Sequence, residues 1–482
     1  TAPTITSISS DLADGTYTVG QEIDLDITFS EVVTLAGANG LEIILTMDGD
    51  DRTVDLQPFS NSATATVTYT VQTGDTTSDL TNGTIALGTD ATLVDAGGTA
   101  MSDFTLTGNS LGTNKALVLD TTAPIVSSFT TATGSGSYNQ GEEIVITANT
   151  SEAIQNENTI TVTLDTGETV VLTAPSAGTT LVGTYTVGSG DNSSALTINS
   201  FTIGTVADTV GNAMTSTTLP APSSIFGSKT IIIDTIEPTV ISLTSTTPDG
   251  TYKKDDTINI TLTFSERVTL SGGSISVQLE TGGVDRSVTI PAVNDSTTAS
   301  GTYTVQTGDT SSDLTSTDAT IATTGVIVDS AGNRIGGLAG LASNFPIASD
   351  LAASSDLVID TTAPTITSIS SDLTDGTYNV GQEIDLDITF SEAVTLAGSN
   401  GLEIILTMDG ADRTVDLQPF SNSATATVTY TVQTGDTTSD LTNGTIALGT
   451  DATLVDAGGT AMSDFTLTGN SLGTNKALVL DT

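Results

Sequence analysis

Glu22-Ile-Asp-Leu-Asp-Ile-Thr-Phe29 alternates without a break, placing Ile23, Leu25, Ile27 and Phe29 on one side and Glu22, Asp24, Asp26 and Thr28 on the other. A period of two is the mark of a β-strand with one face buried. Ala65, Val67, Tyr69 and Val71 alternate with threonines in the same manner. Thr, Val and Ile dominate throughout, and their branched Cβ atoms suit a pleated surface, while no stretch carries a helical period. The turn signals Asp14-Gly15, Asn39-Gly40, Asp48-Gly49 and Gly74-Asp75 separate runs of about five to ten residues, which predicts about seven strands in this stretch and so a β-sandwich.

The pattern returns along the 482 residues. An aspartate followed by Thr-Thr-Ala-Pro, or its relative Asp234-Thr-Ile-Glu-Pro238, opens each new copy, so the copies begin at Thr1, Thr122, Ile236 and Thr362. The predicted domains are 1–121, 122–235, 236–361 and 362–482. Repeat four differs from repeat one at five of 121 positions: Ala13 against Thr374, Thr18 against Asn379, Val32 against Ala393, Ala38 against Ser399, and Asp50 against Ala411. Units of this size can each bury a core, unlike the short repeats of solenoids. The return of repeat one after two divergent copies suggests a larger unit of 361 residues. Multiplying one module sets length or valency, so reach or attachment is the expected function.

Composition narrows the chemistry. With 57 acidic and 10 basic residues the formal net charge is −47, which disfavours nucleic acid as a partner and favours an extended, soluble chain. Charged residues are nevertheless only 14% and hydrophobic residues 37%, so folded domains with acidic surfaces are expected rather than a disordered tail. The chain has no cysteine, histidine or tryptophan. That removes thiol nucleophiles, Ser/His/Asp triads and nitrogen- or sulfur-ligated metals, and leaves oxygen ligands, which suit hard cations and above all Ca2+. No run of 18 apolar residues occurs, so no membrane insertion is expected. Thr1 lies at a repeat boundary rather than in a signal peptide, so the chain is read as an excerpt of something longer.

Four acidic positions recur in every copy. The Ser-Glu closing strand two supplies Glu31, Glu152, Glu266 and Glu392; the Asp-Ala-Gly-Gly turn and its relatives supply Asp95, Asp208, Asp329 and Asp456. The Gly-Asp turn supplies Asp75, Asp191, Asp309 and Asp436, and the last strand supplies Asp120, Asp234, Asp360 and Asp481. In a seven-strand sandwich the loops fall at two poles. Glu31 and Asp95 then sit at the pole facing the preceding domain, and Asp75 and Asp79 at the pole facing the next, beside Asp120. A linker aspartate should therefore meet the acidic pair of the following repeat: Asp120 with Glu152 and Asp208, Asp234 with Glu266 and Asp329, Asp360 with Glu392 and Asp456. Three carboxylates without a basic partner repel, and a bound Ca2+ converts the repulsion into a joint. Solvated loop carboxylates and backbone-bonding turn aspartates are the competing reading, strongest for Asp75 and Asp79 because repeat two has Ala195 at the Asp79 position. Asp24 and Asp26 are read as surface, Lys115 and Lys229 as structural lysines rather than isopeptide donors, and the threonine row Thr64 to Thr70 as exposed strand rather than an ice-binding face. No pair of carboxylates shows the asymmetry of a catalytic pair, so no enzymatic activity is expected.

The strings Asp14-Gly-Thr-Tyr17, Val19-Gly-Gln-Glu-Ile23, Thr28-Phe-Ser-Glu31, Tyr69-Thr-Val-Gln-Thr-Gly-Asp75, Val94-Asp-Ala-Gly97 and Leu119-Asp-Thr-Thr-Ala-Pro124 resemble, across all four copies, the bacterial Ig-like, cadherin-like tandem repeats of large surface adhesins. The resemblance implies an all-β chain of four tandem Ig-like β-sandwich domains in an extended rod, extracellular and at the cell surface. It implies a calcium-stiffened stalk that serves cell adhesion or biofilm formation. The linkers with Pro124 and Pro364 are similar to calcium-binding cadherin linkers, and Glu237 adds a further candidate ligand at its own linker. The implied partners are neighbouring repeats of the same chain, with other copies or cell-surface ligands engaged through regions outside this segment. A self-assembling filament or surface layer is the alternative. A sugar-binding module is disfavoured because aromatics are only 4% of residues, too few for a stacking platform.

Overall fold

The computed structural model describes residues 1–222, 226–321, 325–335 and 349–482. The chain is all-β. It divides into two compact units, Thr1–Thr235 and Ile236–Thr482, each described by itself.

Repeat one shows the plan of the first unit. Its strands are β1 (Ile5–Ser9), β2 (Gly15–Tyr17), β3 (Glu22–Ala36), β4 (Leu41–Thr46), β5 (Arg52–Leu56), β6 (Phe59–Thr70), β7 (Thr81–Leu87), β8 (Thr92–Asp95) and β9 (Leu117–Leu119), with one helical turn, α1 (Leu111–Asn114), before the last. One sheet runs β1-β3-β6 with β8 on the far half of β3; the other runs β5-β4-β7. β2 and β9 pair in parallel as a third, short ladder. The nine strands exceed the expected seven because β2 and β9 are only three residues long and carry no alternation to read. Between the sheets lie Ile23, Leu25, Ile27, Leu41, Ile43 and Leu45, all fully buried. Each such side chain contributes about 1.5–3 kcal/mol by leaving water.

Repeat two has a separate core around Phe129, Ile144, Ile160, Leu172 and Leu181. Here a Thr173–Val182 pairing links the sheets into one six-stranded path. In both repeats a lysine bridges carbonyls of the opening segment: Lys115 Nζ donates to Leu12 at 2.7 Å, and Lys229 Nζ to Thr131 at 2.7 Å and Thr133 at 2.9 Å. Thr66 and Thr68 donate to Asp26 and Asp24 on the half-exposed face of the first sheet.

The second unit holds two further cores, one including Ile258, Ile260, Val277 and Leu351, the other Ile384, Leu386, Ile388 and Leu402. Its last repeat reproduces repeat one strand for strand, from Ile366–Ser370 to Leu478–Leu480. The strand Glu383–Ala397 stands in the place of β3.

Candidate metal centres

The glutamates lie inside a strand, which corrects the expectation that Glu31 ends one. β3 continues for 15 residues, and after an irregularity between Thr28 and Val33 its far half changes partner, pairing Val33 with Asp95. Val33 and Leu35 are buried on the same alternation as Ile23 to Phe29. Glu31 therefore takes an inward place in that alternation, where an apolar residue would stand. Glu152 sits likewise between buried Thr150 and Ile154, Glu266 between Phe264 and Val268, and Glu392 between Phe390 and Val394. The strand change also explains why the Asp95 family lies beside these glutamates: Ile154 pairs with Asp208, and Val394 with Asp456.

A turn presents each of those aspartates with one oxygen already engaged. Asp208 Oδ1 accepts the amides of Val210, Gly211 and Asn212 at 2.9, 2.6 and 2.8 Å. The turn needs a residue at φ +109°, which Gly211 adopts without a Cβ penalty. Asp329 Oδ1 is held in the same way by Ala331, Gly332 and Asn333. Asn212 also donates to Asp208 Oδ2 at 2.7 Å and to the Asp120 carbonyl at 2.9 Å, a clasp that motif reading had missed. In repeat four a threonine replaces that asparagine. Thr460 donates its amide to Asp456 Oδ1 at 2.7 Å and its hydroxyl to the Asp360 carbonyl at 3.2 Å. Lys253 of repeat three adds a contact to the same turn, its Nζ donating to the Gly459 carbonyl at 3.2 Å.

Within the first unit Asp120, Glu152 and Asp208 each bring one carboxylate oxygen within 4.8 Å of the others; within the second, Asp360, Glu392 and Asp456 do the same. Asp120 and Asp360 enter with Oδ1 held by the amide two residues on, at 3.0 and 2.9 Å. Asp208 is 1% exposed and Asp456 4%. Glu152 Oε1 and Asp456 Oδ2 are buried and accept no hydrogen bond. Among the described residues none of the six carboxylates has an ion pair with a basic side chain. Burial, then the charges of Asp120 and Asp208, push the Glu152 carboxyl above the usual glutamate range; burial, then Asp360 and Asp456, do so for Glu392. Calcium–oxygen distances of about 2.3–2.6 Å let two ligands of one ion lie up to about 5 Å apart. Three oxygens within 4.8 Å fit one ion, and these buried acidic triads could hold a metal.

Asp234 closes the first unit, while Glu266 and Asp329 belong to the second. Glu237 is exposed, and among the described residues it joins no metal-ready group. Asp95 pairs with Val33, two residues on from Glu31, and among the described residues neither joins a group of three carboxylates. Asp75 and Asp79 are not brought together for a metal: Asp79 is exposed, and Asp75, fully buried, accepts Arg52 Nε at 2.8 Å, the Gln72 amide at 2.7 Å and the Tyr69 hydroxyl. Asp309 and Asp436 repeat that cradle with Arg286 and Tyr303, and with Arg413 and Tyr430. Burial alone would raise these carboxyls, but the tyrosine hydroxyl, the amide and the guanidinium together hold them below the usual range. The anchor joins groups 23 residues apart across two sheets, so no local motif announces it.

No family model matches the chain, and no curated protein matches it. Among solved structures it is similar to an S-layer protein at 12% identity and a TM-score of 0.20, over 94% of this chain and 54% of that one. It is similar to the full extracellular region of plexin A4 at 10% identity and a TM-score of 0.18, over 99% of this chain and 38% of that one. A third is trypsin-activated alpha-2-macroglobulin from Escherichia coli, at 14% identity and a TM-score of 0.16, over 92% of this chain and 30% of that one. The chain thus spans about half or less of the length of these proteins.

Proposed function

We propose that this chain is a structural stalk or extender segment of a large bacterial extracellular surface protein, rigidified by calcium at its joints and serving cell adhesion or biofilm formation. The observation that carries the reading is the placement of the triads. In each, one carboxylate comes from the end of a repeat and two from the next, and one oxygen is buried without a donor. A divalent cation there would satisfy that oxygen, cancel the mutual repulsion and tie two domains together. Its contribution is about 2.7 kcal/mol per site at free calcium one hundred times the dissociation constant, provided the site exists only when the joint is closed. Magnesium is the poorer fit, since it holds its waters in a near-ideal octahedron while calcium accepts irregular carboxylate sets. The chain's role is to carry reach, and the contacts with cells lie in regions outside this segment.

Small-angle X-ray scattering of the segment in calcium and then in chelator tests this. Shrinkage of the maximum dimension on chelation is expected. An unchanged dimension would refute calcium as the stiffening agent, and concentration-dependent fibres would favour a self-assembling filament or surface layer instead.

A further inference from the structure

The two triads, one in each unit, use the same Asp, Glu and Asp, so they do not differ in charge. They differ in the residue that closes the aspartate turn. Asn212 stands four positions after Asp208, and Thr460 four positions after Asp456. That exchange alters what each aspartate has left to offer an ion.

In repeat two the asparagine reaches both sides of the joint. Its Nδ2 donates to Asp208 Oδ2 at 2.7 Å and to the Asp120 carbonyl at 2.9 Å. Both partners are acceptors, so the amide nitrogen and not its oxygen faces them. Asp208 Oδ1 meanwhile accepts the amides of Val210, Gly211 and Asn212. Both oxygens of Asp208 are thus engaged, and a neutral amide ties the end of repeat one to the turn of repeat two. Asn333 donates to Asp329 Oδ2 in the same way at 2.8 Å, so the clasp comes with the asparagine rather than with one repeat.

In repeat four a hydroxyl has one proton to donate, and it goes to the Asp360 carbonyl at 3.2 Å. Asp456 Oδ2 accepts nothing, and it is buried in a residue only 4% exposed. Lys253 bonds the Gly459 carbonyl, and among the described residues it forms no ion pair with the triad. A buried carboxylate oxygen without a donor has lost its hydration with nothing in return, so it gains most from a cation. An oxygen already bonded to an amide gains less, because it must share or release that bond to bind the ion.

We propose, resting on the reading that calcium rigidifies the joints, that the residue closing this turn sets each joint's affinity for the ion. Threonine leaves the site of Asp360, Glu392 and Asp456 to fill first. Asparagine holds the joint at Asp120, Glu152 and Asp208 partly closed without calcium and makes its site the weaker. The two joints therefore stiffen at different calcium levels, and Asn212 and Thr460 act as positioning residues.

The test uses the whole 482-residue chain with calcium as the probe. Two pairs of spin labels, introduced separately, read the joints one at a time: Ser60→Cys with Val171→Cys in the first unit, and Val284→Cys with Val380→Cys in the second, all at exposed positions. Pulsed electron resonance against free calcium gives the midpoint at which each distance distribution narrows. The joint of the second unit should narrow at about tenfold lower free calcium than that of the first. Thr460→Asn should raise its midpoint about tenfold and narrow its distribution in chelator, and Asn212→Thr should do the reverse in the first unit. Each variant places a residue that a sister turn already carries, as Asn333 and Thr99 show, and one swap decides if the other fails to fold. Equal midpoints in the parent, or swaps that leave midpoint and chelator width unchanged, would overturn the proposal. So would weaker binding in Asn212→Thr, which would make the asparagine a ligand through its own oxygen. If calcium narrows neither joint, the calcium reading falls and the proposal with it, a result distinct from two responsive joints with equal midpoints.

Discussion

Replacing Glu152 by glutamine should have opposite effects on the first joint in chelator and in calcium. Its carboxylate forms two of the three pairs in the triad with Asp120 and Asp208, at oxygen separations up to 4.8 Å. A like-charge pair at that distance costs about 3.5 kcal/mol at an effective dielectric of 20 and about 1 kcal/mol in bulk water. Removing two pairs therefore relieves about 2–7 kcal/mol of repulsion, and the lower end applies because Glu152 is only half-buried. Without calcium, Glu152→Gln should hold the joint more closed than the parent does. With calcium, the variant has lost a charged ligand, and a tenfold weaker site forfeits about 1.4 kcal/mol of the closure the ion supplies. Since the chain has no cysteine, spin labels can be placed at Ser60→Cys and Val171→Cys alone; both positions are exposed, one on each side of the joint. Pulsed electron resonance should then give the parent a narrow distance distribution in calcium and a broad one in chelator. The variant should lie between the two and respond little to calcium. A variant as broad as the parent in chelator, or as calcium-responsive as the parent, would refute the reasoning.

Acidification in chelator should act in two stages. The Glu152 and Glu392 carboxyls, raised by burial and by their aspartate neighbours, bind protons more tightly in the closed joint than in the open one. Closure therefore gains stability as pH falls from above their raised values toward the ordinary glutamate value of about 4.3, and label distances should narrow there. Asp75, Asp309 and Asp436 have the opposite sign. Their lowered carboxyls stabilise the folded domains above the ordinary aspartate value of about 3.9, and this is lost as pH falls further, so tyrosine circular dichroism should report unfolding only in the second stage. Asp75→Asn, which keeps shape and removes the charge facing Arg52, should cost repeat one about 1.5–3 kcal/mol. Amide exchange of β3 is the measurement, and rates equal to those of the unaltered Asp436 repeat would show that the anchor contributes nothing.

How much of this was legible in the sequence depends on the range over which each feature acts. The fold was legible because alternation is local: Ile23 to Phe29 declare their face within eight residues, and the structure buries every one of them. The triads were half legible. The pole argument paired Asp120 with Glu152 and Asp208, but it placed the glutamate in a turn. The alternation that continues through Val33 and Leu35 already put Glu31 inward, and the same count places Glu152 between Thr150 and Ile154.

The arginine anchor was not legible, because its two halves lie far apart in the chain. Arg52 and Asp75 meet only because β5 and the turn after β6 come together in three dimensions, and nothing in either local stretch names the other. In repeat two the problem is compounded, because Leu164 and Glu168 are separated by three residues where Leu45 and Arg52 are separated by six. Aligned by turn motifs alone, Glu168 is one more acidic residue in an acidic chain. Aligned by ladder register, it stands opposite Leu164 as Arg52 stands opposite Leu45, an exposed carboxylate in place of a half-buried guanidinium, while the aspartate, the tyrosine and the turn amide are all retained. Asp191 stays 8% exposed without a guanidinium because the Tyr185 hydroxyl and the Gly188 amide still hold its Oδ2, the part of the cradle that lies within six residues of the aspartate and needs no second sheet.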